Sequence, residues 1–290
     1  MRAARSPAQA RLIGPRAGAR VTAAPAKGED HHEYRHLGRR DPDCVRPVRG
    51  RTAGHHGGRR VQRPVGHRAA GAGTRAALVC LELRPQGPGD SGDTAPYSAQ
   101  REIEDIAALI SAAGAPAALF GYSSGANLAL QAAASGHPIA KLVLYEPPFN
   151  PDDSYPTLPG DLASRLTELV AAGRRGDAVE LYQITAVGMP APVVEQMRHA
   201  PFRPGLEAIA HTLAYDAAVV GDRSLPAEMI GSIRTPALVI SGDQSPPFLQ
   251  AAARAVADAL PQGRLHTLAG QGHDINPEAT APVIADFLAD

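Results

Sequence analysis

In the run Gly121-Tyr122-Ser123-Ser124-Gly125 a serine stands two positions from a glycine on either side. A serine so spaced becomes a nucleophile when a strand delivers it and a helix carries the chain away. The turn is then so tight that its flanks must be small, and the hydroxyl is pushed out above the sheet. The amide N–H groups of the following helix face whatever reacts there. The pentapeptide alone is common by chance, and its plain alternative is a Ser-rich turn. Here the apolar run APAALFG precedes it and the small-residue stretch ANLALQAAASG follows. A serine alkoxide does not form unaided near neutral pH, so a base is required. Six of the eleven histidines fall in residues 1–75, and His137, His199, His211 and His266 fall on helix, turn or strand patterns. His273, in LAGQGHDINPE, alone follows the last predicted strand in a loop able to reach a serine. Its plain alternative is a solvated loop histidine.

These two residues need a scaffold, and the pattern from residue 100 onward supplies one. REIEDIAALISAAG puts Ile103, Ile106, Ala107 and Ile110 on one helical face, with Gly114 as a stop. APAALFG, KLVLYEPPF, PALVISG and RLHTLAG read as buried strands. Leu249, Ala252, Ala253, Val256 and Leu260 mark a helix between the last two, and Val283, Ile284, Phe287 and Leu288 a final one. Such alternation predicts an α/β fold, a parallel sheet with helices on both faces. Residues 151–233 interrupt it with helical patterns only, LASRLTELVAAG and EAIAHTLAYDAAVV the clearest. They are expected to form a helical cap over the C-terminal edge of the sheet.

Composition narrows the class. Hydrophobic residues make up 44% of the 290, enough for a sizeable core, but only 4% are aromatic and there is no Trp. The core must therefore be Ala, Leu, Val and Ile. Cys44 and Cys80 have neither metal-ligand nor disulfide spacing, which fits a reducing, cytoplasmic location. No apolar run approaches the roughly 20 residues of a membrane span. The zero net charge conceals a split: residues 1–75 hold 17 Lys and Arg against 5 Asp and Glu, the remainder 12 against 24. A basic arm of this kind suggests nucleic-acid binding or targeting. No apolar segment follows the first arginines, as a secretory signal requires, and the segment is too long and too poor in serine for a transit peptide.

From GDSGD (89–93) through YEPPF to the C-terminus, the chain resembles the α/β-hydrolase superfamily, and is most similar to bacterial single-domain serine hydrolases with a short helical cap. The resemblance implies that Ser123 attacks an acyl carbon, that His273 takes its proton, and that the Ser124 backbone N–H supplies half of the oxyanion hole. It implies an ester or similar acyl substrate, no cofactor and no metal. Dehalogenation is disfavoured, because that chemistry uses aspartate where Ser123 stands. In the usual pattern the orienting acid lies three residues beyond the glycine that ends the penultimate strand. That glycine is Gly242, and the third residue is Ser245, which cannot serve. Glu146, at the end of KLVLYE, and Asp243, one residue past Gly242, compete for the role. The reading leans to Glu146, since the Asp243 side chain should still belong to its strand. Their plain alternatives are a strand-end carboxylate and an ordinary turn residue. Asp274 reads as a loop residue.

A hydrolase of this kind should open with strands and an oxyanion loop, which residues 1–88 as written do not supply. Gly, Pro, Arg and His interrupt every apolar pair there, so the segment is expected to be disordered and the N-terminal strands missing or replaced. One permitted codon set for residues 82–90, shifted by one base, reads SYDRRGRG, close to the YDRRGRG that such hydrolases carry before GDSG. Residues 41–64, shifted by the same base, give a string resembling the first strands and oxyanion loop. High-GC DNA read out of frame also yields the excess of Arg, Gly and Pro. The expectation is therefore a frame-shifted first third (1–88) joined to a hydrolase domain (89–290) with its cap at about 151–233, impaired as written. It binds a small acyl substrate and neither nucleic acid nor membrane. The rival classes are a non-catalytic binding protein of the same fold and an inactive gene product.

Overall fold

The computed structural model describes residues 18–23, 79–82, 97–113, 117–152 and 155–290. In chain order these form β1 (Gly18–Ala23), β2 (Val79–Glu82), α1 (Ala99–Ala113), β3 (Ala117–Tyr122), α2 (Ser124–Ala134) and β4 (Ile139–Tyr145). Six short helices come next: α3 (Leu162–Ala171), α4 (Arg175–Thr185), α5 (Ala191–Met197), α6 (Arg203–Ala208), α7 (Leu213–Val220) and α8 (Ala227–Ser232). The chain closes with β5 (Ala237–Gly242), α9 (Pro247–Ala259), β6 (Gly263–Leu268) and α10 (Pro277–Ala289). The sheet order is β2-β1-β3-β4-β5-β6. Strands β3 to β6 are mutually parallel, in the expected places. Strand β1 runs antiparallel to β3, and β2 antiparallel to β1. Two short strands of the first third thus occupy the sheet edge, where that segment was expected to lack structure. The remainder of the 1–88 expectation lies outside the described residues.

The strands read as continuous apolar runs because both faces of the sheet are covered. The period of two divides each run between the faces. Leu119, Leu142, Leu144 and Val239 pack with Ile103 and Ile106 of α1, Ala126 and Leu130 of α2 and Val256 of α9. Phe120, Val143, Tyr145, Leu238 and Ile240 face the other way, where they cluster with Leu268 of β6 and Phe287 of α10. Ile103, Ile106 and Ile110 of the predicted stripe are buried. Glu102 beside them is buried as well, which helical periodicity did not foretell.

The helical segment expected to form the cap has its own core, in which Leu162 and Leu166 of α3 meet Val179 and Tyr182 of α4 and Leu213, Ala214 and Ala217 of α7. The stretch EAIAHTLAYDAAVV is not one helix. It breaks at Ile209 (φ −105°) into the end of α6, a 3-10 turn over Ala210–Thr212, and α7. The cap rests on the sheet domain through α7, which lies against α2. Gln131 Nε2 donates to the Val219 carbonyl at 3.3 Å, and Ser124 Oγ donates to Asp216 Oδ1 at 2.9 Å. Within the cap, Arg203 is 6% exposed and ties α6 to α4, with Glu207 at 2.7 Å and Glu180 at 3.0 Å.

Candidate active site

Four parallel strands end on one edge, and the sequence-predicted residues leave from those ends, where open α/β sheets place their ligands. Ser123 follows β3 directly. Its backbone sits at φ 52°, ψ −124°, a conformation costly for any residue with a Cβ. The strain persists because the surroundings fix it: the Ser123 N–H donates to the Tyr145 carbonyl at 2.9 Å, and Ala126 N–H turns back to Ser123 O at 2.8 Å. A Cβ at Gly121 would stand 2.4 Å from Gly125 O and 2.6 Å from Ala126 Cα. That is why a small residue is obligatory where α2 folds back over β3. By helix geometry the first N–H groups of α2, that of Ser124 included, have no partner within the helix and remain available to an anion.

Glu146 follows β4 in a second left-handed conformation, φ 48°, and is fully buried. Its N–H donates to the Ile240 carbonyl at 3.0 Å, so the residue begins where the sheet ends. Oε2 lies 2.6 Å from His273 Nδ1. Oε1 accepts from the Gly242 N–H at 2.7 Å and from Ser245 Oγ at 2.5 Å. A buried carboxylate requires such partners. Asp243, the competing acid, is exposed. Its Oδ1 accepts from the Gly270 N–H at 2.7 Å and from Gln244 Nε2 at 3.1 Å, so it caps the loop after β6 instead of meeting the imidazole. Its N–H still donates to Leu268 O, as a strand residue does. Asp274 is exposed too, and hydrogen-bonds neither the histidine nor the serine.

His273 reaches the elbow on the loop after β6. Tyr145 Oη donates to the Gly272 carbonyl at 2.8 Å, and Gln244 N–H to Gln271 O at 2.8 Å. A Cβ at Gly242 would meet Gln271 O at 2.1 Å, so the end of β5 and this loop are in backbone contact. The imidazole packs on the ring of Tyr122, the residue before Ser123, at 5.0 Å between centroids. With Nδ1 held by Glu146, Nε2 is the nitrogen left to deal with Ser123. No hydrogen bond joins it to Ser123 Oγ in this structure. In unliganded serine enzymes that contact is often long. Burial, reinforced by Asp274 and Glu146, pushes the Tyr122 phenol well above its ordinary pKa, and burial with Glu146 pushes Tyr145 up to about 12. Both rings therefore stay neutral as the walls of the site.

Sequence reasoning missed three contributors. Ser245 cannot itself act as the acid, yet its hydroxyl holds the Glu146 carboxylate that faces the imidazole. Its position, where such hydrolases usually carry the carboxylate, was the available signal. Tyr145 and Asp216 gave none, since both sit in apolar runs that read as core. Among the described residues no cluster of His, Cys, Asp and Glu could hold a metal ion, and no helix is long and apolar enough to cross a membrane.

A strained serine at a strand–helix turn, an imidazole packed on the tyrosine before it and a buried carboxylate on Nδ1, carried on the C-terminal ends of a parallel sheet, define a class of proteins. The chain belongs to the alpha/beta hydrolase family, whose sequence model matches residues 50–286. It is similar to the crystal structure of an alpha/beta hydrolase from Sphaerobacter thermophilus DSM 20745, with 49% identity over 73% of this chain and 82% of that one and a TM-score of 0.66. A hydrolase from Pseudomonas aeruginosa PA01 (24% identity, 75% and 82% coverage, TM-score 0.51) shares the fold. So does the enol-lactonase from Burkholderia xenovorans LB400 (19%, 73% and 81%, 0.51). No protein of curated function matches the chain.

Proposed function

We propose that this protein hydrolyses an ester or a similar acyl bond through an acyl-enzyme on Ser123. His273 Nε2 takes the hydroxyl proton as Oγ attacks the acyl carbon, and returns it to the leaving oxygen. Water then repeats the sequence to release the acid. Glu146 fixes the imidazole with its proton on Nδ1 and balances the imidazolium that forms. The Ser124 N–H, at the start of α2, faces the developing oxyanion. The observation that carries this reading is the 2.6 Å contact of Glu146 Oε2 with His273 Nδ1, from a carboxylate already held by two further donors. Its test is reaction with a fluorophosphonate probe and with a short p-nitrophenyl ester. Labelling located at Ser123 and absent in Ser123→Ala supports the reading. A wild type that binds acyl ligands yet never acylates points instead to a binding protein of this fold.

The first third is a separate matter. We infer that residues 1–88 are an out-of-frame reading of the segment that carries the first strands and the second oxyanion donor. The steep charge split at residue 75 and the common one-base offset in two windows support this. DNA sequencing across the codons for residues 80–92, with mass spectrometry of N-terminal peptides from the cellular protein, decides it. Peptides matching residues 1–75 would end the idea.

A further inference from the structure

We propose that Asp216 of the cap is a positioning residue for the oxyanion hole, clamping Ser124 so that cap and nucleophile turn move as one body; the proposal rests on the acyl-transfer reading above. Ser124 has two jobs that its neighbours in the turn do not share. Its backbone N–H faces the reacting carbonyl, and its side chain donates to Asp216 Oδ1 at 2.9 Å. Both side chains are buried, at 4% and 6% exposure. One turn further along α2, at the spacing that shares Ser124's face, Asn127 is 2% exposed and its amide has no hydrogen-bond partner. A turn beyond, Gln131 reaches Val219. The face of α2 that meets α7 is therefore polar, against the apolar faces it shows the sheet.

Stability does not account for the acid at 216. No ion pair reaches it among the described residues, and the buried Glu102 carboxyl of α1 opposes its ionisation. Among the described residues, the groups that act on it electrostatically are Glu102 from α1, Tyr182 from α4 and Ser124 from α2, which donates to it. An apolar side chain of that volume would fill the space at lower cost. What the carboxyl adds is a directed acceptor on the cap for the one residue whose amide must be aimed. A lever of this kind makes the rate sensitive to where the cap sits, because about an ångström of misplacement at a reacting centre costs about 10²-fold.

The test uses the full chain and two readouts. Asp216→Ala and Ser124→Ala, the second of which keeps the backbone N–H, should each lower kcat and the fluorophosphonate labelling rate about 10-fold or more with KM little changed. The double variant should be no slower than either single, as for two ends of one contact. Asp216→Asn, which still accepts from the hydroxyl, should recover most of the loss. Hydrogen exchange should rise together in 124–134 and 213–220 in both alanine variants. Additive losses, a loss confined to KM, or exchange that rises in one segment alone overturns the proposal. A wild type whose Ser123 never labels overturns the catalytic reading and the positioning role with it, and coupled exchange in that same protein would then mark a structural clamp only.

Discussion

Ser123 and Glu146 both hold left-handed backbone angles, one residue beyond adjacent strands, and each is pinned by a hydrogen bond to the neighbouring strand's end. The sheet thus holds both strained residues in place, Glu146 by the same kind of bond as Ser123. Replacing Glu146 by Gln keeps the shape but removes the charge and favours the wrong tautomer of His273. Activity on a p-nitrophenyl ester should fall about 10³–10⁴-fold. Asp243→Asn, whose side chain meets only the Gly270 N–H and Gln244 Nε2, should stay within about threefold, since it holds no group that reacts. Steady-state kinetics of the two variants side by side checks this, and a larger loss in Asp243→Asn than in Glu146→Gln would reassign the acid. Asp216 gives a second prediction at this scale. Burial raises its pKa from 3.8 to about 7, against the Ser124 hydrogen bond, which lowers it, and with Glu102, which raises it further. Below about pH 4 both folded and unfolded chains are protonated and no penalty arises. As pH rises toward 7 the unfolded chain ionises first, so stability falls, and above 7 the full cost is present. Asp216→Asn should therefore stabilise the fold little at pH 4 and most at pH 8, by on the order of a few kcal/mol, with Tm rising in step. Thermal melts across that range show it, and a gain that shrinks with rising pH would contradict it.

Among the elements, the cap helices are short and owe their order to each other. Arg203 is the pin: its guanidinium is buried, bonded to Glu180, Glu207 and the Gly176 carbonyl, and links α6 to α4. Removing it leaves Glu180 with Arg198, the chief cause of its lowered pKa, but takes away its second arginine and the donor to the Gly176 carbonyl. Arg203→Ala should cost about 1–3 kcal/mol, through lost packing and hydrogen-bond partners left unpaired. The exposed pair Arg101–Glu104, equally short at 2.9 Å, should be worth less than about 0.5 kcal/mol. Urea unfolding of Arg203→Ala and Arg101→Ala separates the two, and equal losses would show that burial is not what counts. The same contrast explains what periodicity conveyed here. The stripes of α1 and α9 were plain because one face packs and the other does not. The break at Ile209 was invisible, because the alanines on both sides, Ala208 and Ala210, are good helix formers and the helices meet α3 and α4 only in the tertiary structure.

At the scale of the whole molecule, β1 and β2 sit at the edge beside β3, while the family's sequence model begins at residue 50. If the first third is out of frame, a gene with the frame restored should give a protein that hydrolyses the test ester about 10²–10³-fold faster than the chain as written, the usual worth of one oxyanion donor. Equal rates in matched preparations would count against the frame-shift reading. The sequence alone determined the four parallel strands and the helices between them, and it singled out Ser123 and His273 as the candidates for chemistry. Each of these follows from local facts: unbroken apolar runs, small residues around a turn, a histidine in the right loop. It left Glu146 and Asp243 both open as the partner of His273 and showed nothing of the placing of Ser245, Glu102 or Asp216, because these placements depend on which side chains from distant segments come together in the fold. That is settled by how the strands register and where the cap comes to rest, and no window of adjacent residues contains it.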